Sequence, residues 1–142
     1  MRAPRTRIQI LCSLAGALDG DTLMEPITRR EGKDLRRLAG VAYDRELARE
    51  LTRLEASFSE WHAGRVTAHD VSAAIHAFHD GVARDLWVLY NRIDPASTVP
   101  RAVVAGLLAE GEVPASLLAK LQNALEYFRQ EAARADADPP AV

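Results

Sequence analysis

The sequence has one cysteine among its 142 residues, so the chain cannot close an intrachain disulfide. No cysteine–histidine spacing resembles a zinc finger. No run of 18 apolar residues occurs, and we therefore expect no membrane-spanning segment. Neither sign of charge dominates, because 18 basic residues stand against 20 acidic ones for a formal net charge of −2. A dedicated nucleic-acid-binding domain is normally basic, so nucleic acid is not expected as the main partner.

Motifs for several kinds of chemistry are also missing. The sequence has no glycine-rich phosphate loop and no Gly-x-Ser-x-Gly elbow for a nucleophile. It also has no His-Glu-x-x-His or Glu-x-x-His motif of the kinds that hold catalytic zinc or a di-iron centre. The sequence therefore favours a protein that is not an enzyme, and no cofactor is indicated. We expect a cytoplasmic protein.

The chain divides into a leader, one helical domain and a tail. Residues 1–27 are expected to form a poorly structured or loosely packed leader, with Met24 close to the structural start. The leader has the outline of a signal peptide, but its apolar stretch Ile8–Leu18 is interrupted. A short packed element and a disordered leader are the alternatives. Residues 28–134 form the predicted domain, and residues 135–142 form a tail without core residues that is predicted to be disordered.

A long helix is predicted from Thr28, where Thr28-Arg29-Arg30-Glu31 has the spacing of a capping box. Its apolar residues fall at Leu35, Leu38 and Ala42 and continue at Leu47, Leu51, Leu54, Phe58 and Trp61. The last five step by 4-3-4-3, which is the seam spacing of a coiled coil or a bundle helix. At 1.5 Å per residue, a helix over Arg29–His62 is about 50 Å long. It must therefore either break near Gly40 or extend beyond its partner helix.

A second helix begins at Thr67-Ala68-His69-Asp70, again a capping-box spacing. Its apolar stripe steps by 4-3-4-4-3-4: Val71, Ile75, Phe78, Val82, Leu86, Leu89 and Ile93. The short connection through Gly64 makes the two helices antiparallel neighbours. Gly81 interrupts this helix, and close approach of another helix is the expected reason. Leu86–Tyr90 is apolar all round, which indicates burial on more than one side.

Two shorter helices complete the predicted fold. The first spans Val99–Ala109, with Ser97 or Thr98 as its cap and Gly111 after its end. The second begins at Val113-Pro114 and continues to Arg134, with Leu117, Leu121 and Phe128 on its apolar face. We therefore predict an all-α fold, a small helical bundle in which a long antiparallel helical hairpin is packed by two shorter helices.

A protein-interaction module is the function that this pattern favours. Two features support it: the seam spacing of the first helix, and the expected extension of Arg29–Gly40 beyond the second helix. The partner is expected to be a second copy of the chain or another protein chain. The residues expected at the interface are apolar or aromatic: Leu47, Leu51, Leu54, Phe58, Trp61, Trp87 and Tyr90.

A metal-binding protein is the alternative hypothesis, because all four histidines lie between His62 and His79. If the two long helices are antiparallel, His76, His79, Asp80 and Glu55 can converge on one divalent cation of the zinc, iron or manganese type. His79 and Asp80 are not expected to pair with each other, since adjacent residues point about 100° apart on a helix. Without a metal, the histidines would hydrogen-bond to carboxylates such as Glu55 in the groove between the helices.

A third hypothesis rests on basic residues in the first helical turns. They are interleaved with Glu31 and Asp34: Arg29, Arg30, Lys33, Arg36 and Arg37. Such a patch can contact nucleic acid or another acidic partner, as in a small regulator. No aromatic platform lies beside it in the sequence, so a solvated helix face is the simpler interpretation.

Overall fold

The computed structural model describes residues 25–137, and within that range the secondary structure is entirely helical. The prediction of an all-α small bundle is confirmed. The elements in chain order are α1 (Arg29–His62), α2 (Ala68–Ala77), a π-helical segment (Phe78–Ala83), α3 (Arg84–Arg92), α4 (Pro95–Val104), a 3₁₀ turn (Glu110–Glu112), α5 (Ala115–Lys120) and α6 (Gln122–Ala137). The predictions for most of the leader, and for residues 138–142 of the tail, lie outside the described residues.

Helix α1 is one continuous helix of 34 residues, so the alternative of a break near Gly40 is wrong. It begins as predicted, with the Thr28 hydroxyl accepting a hydrogen bond from the Glu31 N–H at 3.2 Å. The Glu31 carboxylate in turn accepts one from the Thr28 N–H at 2.8 Å, which completes the capping box. The chain turns at Gly64, whose φ of +72° is in the left-handed region that glycine adopts without strain.

The main core forms on the N-terminal half of α1. Leu35, Leu38 and Ala42 pack there against Val99 and Ala102 of α4. The core also includes residues from the connection after α4 and from α5 and α6: Leu107, Leu108, Val113, Leu117, Leu121 and Leu125. The stretch Arg29–Gly40 is therefore covered on one face by the chain's own C-terminal helices. The stretch that was expected to extend beyond the second helix is thus packed by α4 to α6.

A smaller core cluster joins α3 to α6. Leu86 and Leu89 are each 1 % exposed and lie against Phe128, which is 5 % exposed. Tyr43 and Leu47 of α1 pack on the edge of this cluster. The buried positions of α3 are therefore the ones that the apolar stripe predicts.

The predicted boundaries of the shorter helices need correction. Helix α4 begins at Pro95, and its cap is Asp94, whose carboxylate accepts a hydrogen bond from the Ala96 N–H at 2.8 Å. The expected caps, Ser97 and Thr98, are instead buried within the helix. The helix ends near Gly106, whose φ is +69°, rather than before Gly111. The C-terminal helix is divided at Leu121 into α5 and α6.

Candidate functional site

Apolar side chains are exposed where α1 extends past the core. We define the distal arm as residues 51–62 of α1 together with α2. Val71 is the one residue of this arm that is buried. Leu51 is 46 % exposed, and Trp61 and Ile75 are each 42 % exposed. These exposures are high for large apolar side chains, so the arm presents an apolar surface to solvent.

The structure places the predicted interface residues in different environments. Leu51, Trp61 and Trp87 are exposed. The other four are half-buried: Leu47, Leu54, Phe58 and Tyr90. The Trp87 ring has the Arg92 guanidinium 5.5 Å from its centroid. The predicted set is therefore not one surface, because its members divide between the arm and the body of the bundle.

His79 and Asp80 do pair, contrary to the prediction. Their Nδ1 and Oδ1 atoms are 2.9 Å apart, although the side chains are 81 % and 74 % exposed. The predicted separation assumed a regular α-helix, but both residues lie in the π-helical segment, where the backbone departs from that geometry at Gly81. The hydrogen bond from His79 is the main reason why the pKa of Asp80 lies below its usual value.

The four predicted metal ligands are not brought together. His76 and Glu55 are exposed, and of the four residues only His79 and Asp80 form a polar contact with each other within residues 25–137. Over the same range, no three His, Cys, Asp or Glu side chains form a group that could hold a metal ion. The predicted hydrogen bond from these histidines to Glu55 is likewise not found there, since His79 is bonded to Asp80.

Gly81 has a different role from the predicted one. A Cβ atom built at this position would have no neighbour within 4 Å, so the packing of a neighbouring helix is not what requires glycine here. Its φ of −102° and ψ of −106° are not helical, and it marks the kink within the π-helical segment. The sequence does carry a signal for this kink. The two successive four-residue steps of the apolar stripe, from Phe78 to Val82 and on to Leu86, span the segment.

A buried polar network connects α1, α3 and α4, and no motif in the sequence predicted it. Glu46 is 6 % exposed, and its carboxylate forms an ion pair with Arg101. The Tyr90 hydroxyl donates to the same carboxylate oxygen at 2.7 Å, and Arg101 donates to that hydroxyl at 3.1 Å. Burial is the main cause that raises the pKa of Tyr90. Glu46 follows Ala42 by four residues and so lies on the core face, which is the signal that could have revealed it.

Two other ion pairs fasten α1 to the C-terminal half. Arg45 binds Glu112 through two hydrogen bonds of 2.8 Å, and its guanidinium lowers the pKa of Glu112 to about 2. Glu31 accepts a hydrogen bond from Lys120 at 2.9 Å. Its pKa is also lowered to about 2, mainly by the Thr28 N–H and then by Lys120. These contacts join parts of the bundle, and none of them involves a residue of the distal arm.

The basic side chains of the first turns are exposed as the third hypothesis requires: Arg29, Arg30, Lys33, Arg36 and Arg37. Arg37 lies 4.0 Å from Asp34. The other acidic residue of these turns, Glu31, accepts hydrogen bonds from the Thr28 N–H and from Lys120. The patch is therefore accessible.

The chain matches no protein-family model, no curated protein and no solved structure. Of the helices that lie between residues 25 and 137, none combines the length and the apolar character needed to cross a membrane.

Proposed function

We propose that this protein is a non-enzymatic protein-interaction module that binds a second copy of itself or another protein chain through the distal arm. The observation that carries the proposal is the exposure of Leu51, Trp61 and Ile75 on two neighbouring helices. Large exposed apolar patches are characteristic of interaction sites, and in this proposal the three side chains form such a patch together. Tryptophan is among the residues most enriched at the energetic centres of such sites.

Burial of these side chains supplies a driving force for binding. Covering a leucine or isoleucine fully contributes about 1.5–3 kcal/mol, and each of the three is only partly covered by the chain itself. Trp61 also lies obliquely against the His62 ring, with ring centroids 5.0 Å apart. A partner that covers the arm therefore gains apolar contact with these side chains.

The arm is held in shape although little of it is buried. At the start of α2, Thr67 and Asp70 form a complete capping box, with the Thr67 N–H donating to Asp70 at 2.7 Å. At the turn, Arg65 donates two hydrogen bonds of 2.6 Å to Glu60. Local polar contacts thus fix the ends of both helices, which suits a surface that presents side chains to a partner.

Sedimentation velocity over a range of micromolar concentrations tests self-association. We expect the wild-type chain to associate and the double variant Leu51→Glu, Ile75→Glu to be monomeric. Ile27→Glu is the matched control, because Ile27 is 41 % exposed but precedes α1, at the opposite end from the arm. Equal association of all three proteins would show that the arm is not the interface.

A photo-crosslinking amino acid at position 61 tests binding to another chain, with the same amino acid at position 133, which is exposed on α6, as control. In cells of the source organism, we expect a discrete product from position 61 only. Leu51→Glu with Ile75→Glu should abolish that product. A monomeric wild-type chain together with no arm-dependent product would refute the proposed function.

A further inference from the structure

A groove lies along one side of the N-terminal half of α1, away from the distal arm. Its first part, of about 590 Å³, lies between the start of α1 and the junction of α3 and α4. It shares Arg36, Asn91 and Pro95 with a second part of about 230 Å³. The second part shares Tyr43 with a third, of about 460 Å³, beside the π-helical segment. We call the three adjoining depressions the α1 groove.

The length of the α1 groove suits an extended ligand. From Gly32 to Tyr43, both of which line it, a helix rises about 16 Å at 1.5 Å per residue. An extended peptide advances about 3.3 Å per residue, so this part alone matches roughly five residues. The third depression extends the groove further. Its shape thus fits a chain segment better than a compact small molecule.

Three arginines line the groove without a carboxylate partner. Arg36, Arg84 and Arg92 are exposed, and within residues 25–137 none of them forms an ion pair within 4.0 Å. Arg84 acts on Asp80 only at longer range, as one of the smaller causes that lower the pKa of Asp80. The groove therefore presents three guanidinium groups that are available to an anionic ligand.

The acidic residues of the groove are already engaged. Asp80 is paired with His79 at 2.9 Å. Asp94 caps α4, where its carboxylate accepts a hydrogen bond from the Ala96 N–H at 2.8 Å. A carboxylate at a helix N-terminus also interacts favourably with the helix dipole. Neither acid forms an ion pair within 4.0 Å with any of the three arginines.

Most other arginines of the described chain differ in this respect. Carboxylates pair with Arg37, Arg45, Arg53, Arg65, Arg101, Arg129 and Arg134. Arg49 donates to the carbonyl oxygen of Gly106 at 3.1 Å. Among residues 25–137, the arginines without such an acceptor are the three of the groove and the pair Arg29 and Arg30 in the first turn of α1. Three of these five arginines thus line the groove.

Aromatic side chains add apolar surface between these cations. Trp87 lines the third depression and is 47 % exposed. The stacked rings of Tyr43 and Tyr90, with centroids 5.1 Å apart, both line the second. Cationic groups interleaved with aromatic rings suit a ligand that carries both negative charges and apolar side chains.

We propose that the α1 groove binds an extended acidic segment of a partner protein, with its carboxylates on Arg36, Arg84 and Arg92. Single-stranded nucleic acid is also anionic and stacks on aromatic rings. Its phosphates are continuous, however, and Asp80 and Asp94 would repel those that pass beside them. A peptide can place its carboxylates opposite the arginines alone, and the groove therefore favours a peptide. This site is independent of the distal arm.

Tryptophan fluorescence tests the proposal directly, because the chain has two tryptophans and Trp61→Phe leaves Trp87 as the only one. The probe is a synthetic hexapeptide of the composition Glu-Phe-Glu-Glu-Phe-Glu, and its control has glutamine in place of glutamate. We expect a saturable change with the acidic peptide that weakens as salt is added. The glutamine peptide should bind at least about tenfold more weakly than the acidic peptide, since it cannot form the ion pairs.

A pair of matched double variants locates the site. In the Trp61→Phe background, Arg36→Gln with Arg92→Gln should weaken binding about tenfold. Arg29→Gln with Arg30→Gln makes the same change in net charge outside the groove and should have little effect. Leu51→Glu, which disables the arm, should leave the peptide titration unchanged whatever happens to self-association.

Three results would overturn the proposal. The first is no saturable response to the acidic peptide, and the second is equal weakening by both double variants. The third is tighter binding of a single-stranded oligothymidylate than of the peptide at the same salt concentration, which would assign the groove to nucleic acid instead.

Discussion

The buried pair of Glu46 and Arg101 should show a large coupling energy. Removing one partner of a buried ion pair leaves an uncompensated charge and costs about 3–5 kcal/mol. We therefore expect Glu46→Met and Arg101→Met each to destabilise the protein by about 3 kcal/mol. The double variant replaces both charges with apolar groups of similar size. Its main remaining cost is the Tyr90 hydroxyl, which loses both partners, at about 1–3 kcal/mol.

Urea unfolding followed by far-ultraviolet circular dichroism measures these differences. If the two single effects were independent, the double variant would lose about 6 kcal/mol, close to the whole stability of many small domains. We expect a loss of about 2 kcal/mol instead, and less still when Tyr90→Phe is added. Arg45 and Glu112 provide a control cycle with much weaker coupling, because their side chains are 44 % and 38 % exposed. Additive losses at Glu46 and Arg101 would refute the burial argument.

Three further predictions concern two glycines, one helix cap and the stability in acid. Gly40→Ala should raise the free energy of unfolding by up to about 1 kcal/mol, because Gly40 lies inside α1 and an added Cβ would have no neighbour within 4 Å. Gly106→Ala should instead lower the free energy of unfolding by about 1–2 kcal/mol, because the φ of Gly106 is +69°. Urea titration of the two variants checks both signs. Thr67→Ala should lower the free energy of unfolding by about 1 kcal/mol and should speed amide hydrogen exchange in α2 but not in α6. Equal acceleration of exchange in both helices would contradict a purely local effect of this cap. The stability contributed by Glu31 and Glu112 should be fully present above about pH 5 and should fall as the pH drops from 4.5 toward 2, because folding lowers the pKa of both groups from 4.5 to about 2. Urea unfolding as a function of pH measures this loss. If the double variant Glu31→Gln, Glu112→Gln loses the same stability over this pH range, other groups are responsible.

The parts of the fold that were predictable from the sequence depend on neighbours within a few residues. The capping boxes at Thr28 and Thr67 are confirmed because each closes within four positions. The apolar stripe of the first half of α1 is also confirmed, since helical periodicity alone places Leu35 and Leu38 on one face. Helix ends were less accurate: Asp94 rather than Ser97 caps α4, because both residues suit a cap and tertiary packing decides between them.

Features that depend on distant residues were not predictable in this way. Glu46 is buried because Arg101, 55 residues away, folds against it. The α1 groove likewise depends on α3 bringing Arg92 beside Arg36, and nothing near either residue in the sequence indicates that contact. The convergence of His76, His79, Asp80 and Glu55 that was predicted around a metal ion is also not found among residues 25–137. That prediction assumed ideal helical geometry through His79 and Asp80, where one irregular turn changes the direction of each side chain.

The segment Phe78–Ala83 also sets the rotation of α2, one of the two helices of the distal arm, about its own axis. Gly81 within it has φ of −102° and ψ of −106°, which are not helical, so α2 and α3 meet at a kink and do not share one helical phase. The exposed face of α2 is therefore not constrained to the line of the buried face of α3. Deleting one residue from Phe78–Ala83 would turn Ile75 to a different side of the arm, although the amino-acid sequence of the arm would be unchanged. The rotation of α2 is thus encoded outside the arm, in a segment that itself contains no buried residue.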